Sequence, residues 1–305
     1  MQLKIPSNRE FAIAMTLAAA CWGFATVMSK GALAHIPPLT LLVVQLAVSI
    51  TFLWIIIVAQ RIGLPRRREA VRLGLIGLLN PGIAYTFSLF GLTLTTASMS
   101  TLLWAAEPIL ILGLAWLILC ERLTRPLIVF SALAILGVTL VAGVNSSVGN
   151  NSSLIGNLLV LAGVGCCALY TVLTRQMGMD YDPLLVVALQ QTVAFGWALI
   201  IWPVEWLTGG LTSLAAVTPG VWGWAVASGI FYYALAFWFY IIGLKKIPAS
   251  LAGLFLNLIP IFGVGGAYVF LGERLAMAQW LGAILILAAV FGVLRWPRAE
   301  TIPAS

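Results

Sequence analysis

The chain has 305 residues, 62% of them hydrophobic and 8% charged, with a mean hydropathy of +1.08. A soluble domain carries about 25% charge, so this composition excludes a water-soluble globule and allows roughly ten membrane helices of about 20 residues each. The formal net charge of +7 is no nucleic-acid signal, because the basic residues lie in short connections between apolar runs.

Lys4 and Arg9 precede the first apolar run, and Ala18-Ala19-Ala20-Cys21 resembles a signal-cleavage site. The run continues through Trp22 to Ala34, too long for a signal segment, and is read as a retained first membrane span. Hydropathy predicts ten spans: 11–34, 37–60, 70–92, 95–119, 125–143, 153–175, 183–205, 219–243, 247–271 and 276–295. Pro37-Pro38, Pro126, Pro183, Pro219 and Pro248 fall at or near span starts, where a missing N–H costs least. The longest polar connections, 144–152 and 206–218, are too short for a soluble domain. The four cysteines (Cys21, Cys120, Cys166, Cys167) lie in apolar runs and read as packing residues, not as a disulfide framework.

One stretch occurs twice. Residues 91–123 align without a gap on 243–275 at an offset of 152, matching Gly91 with Gly243, Ala97-Ser98 with Ala249-Ser250, Pro108 with Pro260 and Glu121-Arg122-Leu123 with Glu273-Arg274-Leu275. The first two spans repeat at an offset of 145, matching Cys21 with Cys166, Lys30 with Arg175, Pro38-Leu39 with Pro183-Leu184 and Gln45 with Gln190. An internal repeat fixes architecture before any local signal does. The expected halves are 1–145 and 153–295, with 296–305 as a tail. Five spans per half is odd, so the second half is inverted relative to the first. With the N-terminus inside, the inner segments carry Lys4, Arg9, Arg61, Arg66, Arg67, Arg68, Arg72, Arg122, Arg125, Arg175, Lys245, Lys246, Arg295 and Arg298, which is 14 of the 16 Lys and Arg; Lys30 and Arg274 fall outside. This bias predicts both termini, and the tail, in the cytoplasm. The expected fold class is therefore all-α integral membrane, with ten transmembrane helices as two inverted five-helix repeats.

Signals for an enzyme are absent. His35 is the one histidine, and no nucleotide-binding glycine pattern or metal-ligand spacing occurs, so no cofactor and no metal are expected. A channel, a secondary carrier or a membrane scaffold remain. The ten spans in two halves, the pattern Cys21-Trp22-Gly23-Phe24 and the twin helices running from proline to Glu-Arg-Leu resemble the drug/metabolite transporter superfamily of EamA type. Within it the chain is most similar to bacterial aromatic amino-acid exporters. The resemblance implies metabolite export by alternating access across the inner (plasma) membrane. One departure stands out: many members carry a basic residue in the second helix of a half, where this chain has Gln45 and Gln190.

Polar and aromatic residues within the spans mark the candidate pathway. Glu107 lies mid-span before Pro108, where a charge costs about 2.5–3.5 kcal/mol, and suits proton coupling or attraction of a substrate ammonium. Gln45, Gln190, Gln191, Asn80 and Asn257 can hydrogen-bond a zwitterion or tie helices together, and Ser250 shares a helix face with Asn257. Trp22, Tyr85, Trp104, Tyr170 and Phe237, with Thr101, are expected to line a cavity that stacks on large apolar side chains. Pro108 and Pro260 would kink their helices and flex in turn. Lys30 and Arg175 read as cations reaching toward the headgroups from equivalent span ends. The expected partners are a small-molecule substrate and membrane lipid, with no nucleic acid; a monomer suffices. The rival readings are a multidrug or small-cation antiporter, a channel-like facilitator and a scaffold.

Overall fold

A computed structural model describes residues 8–33, 35–94, 103–104, 106–142, 154–177, 180–207, 217–259, 261–263, 265 and 277–295. Among the described residues the regular structure is all helical, with no strand. In chain order the helices are α1 (Asn8–Leu33), α2 (Pro38–Ala59), α3 (Arg67–Gly77), α4 (Ala84–Leu94), α5 (Glu107–Leu119), α6 (Arg125–Ala142), α7 (Leu154–Met177), α8 (Pro183–Ile201), α9 (Pro203–Leu207), α10 (Pro219–Ser228), α11 (Ala236–Leu244), α12 (Ala249–Leu256) and α13 (Met277–Arg295). Five stretches are long and apolar enough to cross a membrane: Pro38–Ala59, Arg67–Ser88, Leu154–Met177, Pro183–Glu205 and Pro219–Leu244. Shorter apolar helices fall within the other five predicted spans.

Two of the predicted spans are interrupted at matching places. A π-helical turn, Leu78–Ile83, joins α3 to α4, and a second, Gly229–Leu235, joins α10 to α11. At the repeat offset the first falls on residues 230–235. In the first turn Pro81 lacks an N–H, and Asn80 leaves the helical region (φ −147°, ψ 122°). The Asn80–Pro81 peptide is cis. Gly77 precedes the first turn and Gly229 opens the second, and each allows two backbones to meet. Gly77 lies directly against the backbone of Gln190 on α8, and a Cβ on Gly229 would stand 2.8 Å from the Gln45 carbonyl oxygen on α2. Gly77 matches Gly229 in one repeat register, and Gln45 matches Gln190 in the other.

Helix starts explain a second set of contacts. Asp182 caps α8 locally, accepting the Leu184 N–H at 2.8 Å. By contrast α2 and α12 begin after Pro37 and Pro248, which offer no side-chain oxygen. Their orphan N–H groups are satisfied from a distance. Glu205 accepts the N–H groups of Leu39 and Thr40, both at 2.8 Å, and the Thr40 hydroxyl at 2.7 Å. Glu121 does the same for Ala249 and Ser250.

The helices pack with α1 against α10 and α11, α2 against α8, α4 against α7, α5 against α7 and α12, and α6 against α13. The largest fully buried side chains include Tyr170, Tyr240, Phe237 and Phe255. Apolar side chains are equally prominent outside: Ile200, Leu117 and Val129 are among those well exposed. In water a surface of that kind would aggregate; in a bilayer it faces lipid. Lipid also removes any hydrophobic drive between helices, so close backbone approach and interhelix hydrogen bonds hold the bundle.

Candidate functional site

The site is built on the two interrupted helices. Tyr85, one residue into α4, donates its hydroxyl to Tyr232 in the second π turn at 2.9 Å. Its ring meets those of Tyr232 and Tyr233 at 5.8 and 5.9 Å. Tyr233 stacks on Phe237 at 6.3 Å with the planes 4° apart. Trp22 of α1 approaches Phe237 and Tyr240 edge-on, at 5.2 and 5.4 Å. Tyr170 of α7 completes the group, 5.9 Å from Phe237. These spacings fall in the range where aromatic pairs attract beyond their buried area.

Glu107 is the acid of this cluster. It opens α5 half-buried, with Pro108 beside it in the first turn. Its carboxyl is within electrostatic reach of Cys167, Tyr232 and Tyr240. Tyr240 and Thr171 share a hydrogen bond at 2.9 Å. Rings, hydroxyls and one carboxyl thus converge from α1, α4, α5, α7 and α11. Such a lining can stack on an apolar ring and hold a cationic or protonated group.

The sequence-predicted residues divide. Trp22, Tyr85, Tyr170, Phe237 and Glu107 come together. Trp104 is half-buried just before α5. Pro108 marks where α5 begins. Thr101 and Pro260 lie outside the described residues. The two glutamines have other partners. Gln45 donates to Ser29 at 2.9 Å and to Ser228 at 2.7 Å. Gln190 donates to Thr174 at 3.1 Å and accepts from Tyr170 at 2.9 Å. Ser29 and Thr174 are equivalent at the offset of 145, so each glutamine ties the second predicted span of its half to the first in the same way. Asn257 donates to Leu254 of its own helix at 3.0 Å, and Ser250 bonds Glu121. Arg175 does not simply reach for headgroups: it donates to the Leu244 carbonyl oxygen at 2.5 Å.

Sequence reasoning left Tyr232, Tyr233, Tyr240 and Cys167 out of the site. A signal for two of them was present, since Tyr233, Phe237 and Tyr240 recur at helical spacing and share a face. Tyr232 joins them because the π turn shifts the register by one residue, which periodicity cannot foresee.

A helical bundle with apolar outer faces and polar and aromatic groups gathered between interrupted helices fits a membrane-integral transporter. The model of the EamA-like transporter family matches residues 11–143 and 154–295, and the chain belongs to that family. An uncharacterized transporter of Bacillus subtilis (strain 168), YyaM, is 30% identical over 242 residues, covering 77% of each chain. A second from the same organism, YvbV, is 26% identical over 295 residues, covering 94% of this chain and 92% of that one. An uncharacterized transporter of Archaeoglobus fulgidus is 24% identical over 286 residues, covering 93% and 98%. A solved crystal structure shares the fold with a TM-score of 0.78 at 17% identity, covering 93% of this chain and 96% of that one.

Proposed function

We propose that the protein exports aromatic or other hydrophobic amino acids and related small metabolites across the inner membrane by alternating access. The observation that carries this is the ring cluster gathered at the second π turn and Tyr85, with Glu107 within electrostatic reach of Tyr232 and Tyr240. The rings suit a large apolar side chain, and the carboxyl suits an ammonium or a transported proton. The amide nitrogen of Gln45 and both amide atoms of Gln190 are engaged in ties between helices, so on this reading the binding surface is Trp22, Tyr85, Glu107, Tyr170, Tyr232, Tyr233, Phe237 and Tyr240, and the glutamines hold its walls.

The chain crosses ten times in two inverted halves, with both termini in the cytoplasm. Several observations support this. The Gly77–Gln190 and Gly229–Gln45 approaches are equivalent under the repeat, as are the Gln45–Ser29 and Gln190–Thr174 bonds. The π turns fall at the same offset, and the basic residues crowd one side.

Counterflow in proteoliposomes across amino acids, nucleosides, sugars and cationic dyes tests the reading. Saturable counterflow of aromatic or large apolar amino acids is expected. Flux without saturation or counterflow would mean a channel, and counterflow of dyes alone would mean a cation antiporter.

A further inference from the structure

The first Glu-Arg-Leu copy, Glu121-Arg122-Leu123, brings no ring to the cluster, yet Glu121 is one of the most connected side chains among the described residues. Cys120 takes a left-handed backbone (φ 53°) and ends α5 abruptly, so that the Glu121 N–H closes on the Ala115 carbonyl oxygen at 3.2 Å. The side chain then leaves α5 for the start of α12. Its Oε1 accepts the Ala249 N–H at 2.8 Å, and its Oε2 accepts the Ser250 N–H at 3.1 Å and the Ser250 hydroxyl at 2.6 Å. Arg175, in the last turn of α7, is within electrostatic reach of the same carboxylate and donates to Leu244, the last residue of α11. Beside it the Lys245 ammonium donates to the Tyr181 carbonyl oxygen at 2.8 Å.

These contacts gather the ends of α5, α7 and α11 with the start of α12. The same α5, α7 and α11 carry Glu107, Cys167, Tyr170, Phe237 and Tyr240 further along. The gathered end is the arginine-rich side of the chain. The other distant carboxylate cap, Glu205 on α2, ties two helices that contribute no ring to the cluster. Among the described residues the Glu121 cap is therefore the distant carboxylate cap that ties together helices carrying residues of the cluster.

We propose that the Glu121 clasp on Ala249–Ser250, braced by Arg175, is the cytoplasmic gate of the pathway, closed in this structure and broken whenever the site opens inward. The proposal rests on the transport reading above and names the contact that must part for substrate to enter. Glu121 does not touch substrate; it sets which side the cluster faces.

The native thiol Cys167 reports on it, being 2% exposed and within electrostatic reach of Glu107. In a protein with Cys21→Ala, Cys120→Gly and Cys166→Ala, the rate of Cys167 labelling by a membrane-impermeant maleimide is measured in inside-out vesicles and in spheroplasts. Glu121→Gln is expected to raise labelling severalfold from the cytoplasmic side and lower it from outside. Ser250→Ala, a smaller change, is expected to do the same more weakly should Glu121→Gln fold poorly. Glu205→Gln is expected to leave both rates unchanged. A monodisperse Glu121→Gln or Ser250→Ala protein with unchanged rates from both sides overturns the gate, as does an equal shift in Glu205→Gln. The assay needs no substrate. Counterflow with unshifted labelling therefore sinks the gate and leaves transport standing, whereas shifted labelling without counterflow supports the gate and sinks the substrate reading.

Discussion

Two regions of the bundle use similar side chains to opposite ends. Between α2 and α8 runs a seam of polar residues whose bonds are closed among themselves. Glu205 and the Trp202 indole N–H both meet Thr40, the Ser49 hydroxyl bonds Gln191, Gln191 donates to the Tyr233 carbonyl oxygen, and Trp54 donates to Thr192. Around Glu107 the groups instead converge on one another from five helices, and the contacts there are mainly ring edges and faces. Among the described residues, the two buried side-chain atoms without a hydrogen-bond partner, Asn80 Oδ1 and Ser88 Oγ, flank Tyr85 in sequence. A buried polar atom left unpaired is expensive, so such atoms belong where a ligand or a moving element can satisfy them. The difference teaches that polar character within a span does not mark a pathway. Hydrogen bonds that run from helix to helix mark a seam, and rings from several helices gathered within reach of one carboxyl mark a candidate site.

The largest effect expected of this contrast is at Glu107. Glu107→Gln keeps size and removes charge. If the carboxylate binds an ammonium, losing a charge-assisted bond of roughly 1.5–3 kcal/mol lowers flux roughly ten- to hundredfold at limiting substrate. Thermal unfolding in detergent should hardly change. If it carries a proton, proton-coupled flux is abolished while exchange between labelled and unlabelled substrate persists. Unchanged flux of both kinds would put Glu107 with the seam. The converse is expected at Gln191, which is fully buried and bonded at both ends of its amide. Gln191→Leu strands the Ser49 hydroxyl and the Tyr233 carbonyl, a loss of about 1–3 kcal/mol. It should appear as a lower unfolding temperature, with turnover per folded molecule near that of the parent. Lost turnover at full stability would erase the distinction between seam and site.

Much of the scaffold was legible in the sequence, because it follows from composition and repetition. The apolar runs give the helices, and Pro38, Pro183 and Pro219 lie in first turns as their missing N–H requires. The site was legible only in part. Trp22, Tyr85, Glu107, Tyr170 and Phe237 could be found as large or charged groups within spans. Gln45 and Gln190 could not be assigned, since an amide that lines a cavity and an amide that ties two helices look alike in sequence. Their partners, Ser29 and Thr174, are themselves repeat-related and place both amides in bonds between helices. Pro81 was passed over, though Asn80-Pro81-Gly82 sits within an apolar run and accompanies the break that turns α3 into α4. The carboxylates Glu121 and Glu205 were invisible as caps because their partners lie 128 and 166 residues away.

Within the cluster, the weight of a single ring is smaller. Phe237 touches Trp22, Tyr170 and Tyr233. Phe237→Leu keeps an apolar group and removes the faces, so each aromatic pair lost is worth about 0.5–1.5 kcal/mol. If the rings recognise substrate, half-saturation for aromatic amino acids should rise severalfold while that for leucine or isoleucine holds. An equal rise for all substrates would make Phe237 packing alone.

The smallest effect concerns the backbone that aims the clasp. Cys120 is one of two non-glycine residues with positive φ among the described residues, and left-handed backbone costs an L residue roughly 1–2 kcal/mol. The second copy of the repeat has Gly272 at the matching position, the residue type that adopts this conformation freely. Cys120→Gly should therefore relieve strain at the end of α5, though glycine also gains freedom in the unfolded chain and returns part of the benefit. The net expectation is an unfolding temperature unchanged or slightly raised, with transport intact. Cys120→Val is the informative opposite: a β-branched residue resists the left-handed turn, the Glu121 carboxylate loses its aim at Ala249 and Ser250, and inward labelling of Cys167 rises as it does for Glu121→Gln. Were valine as silent as glycine, the turn at Cys120 would have no part in positioning the carboxylate.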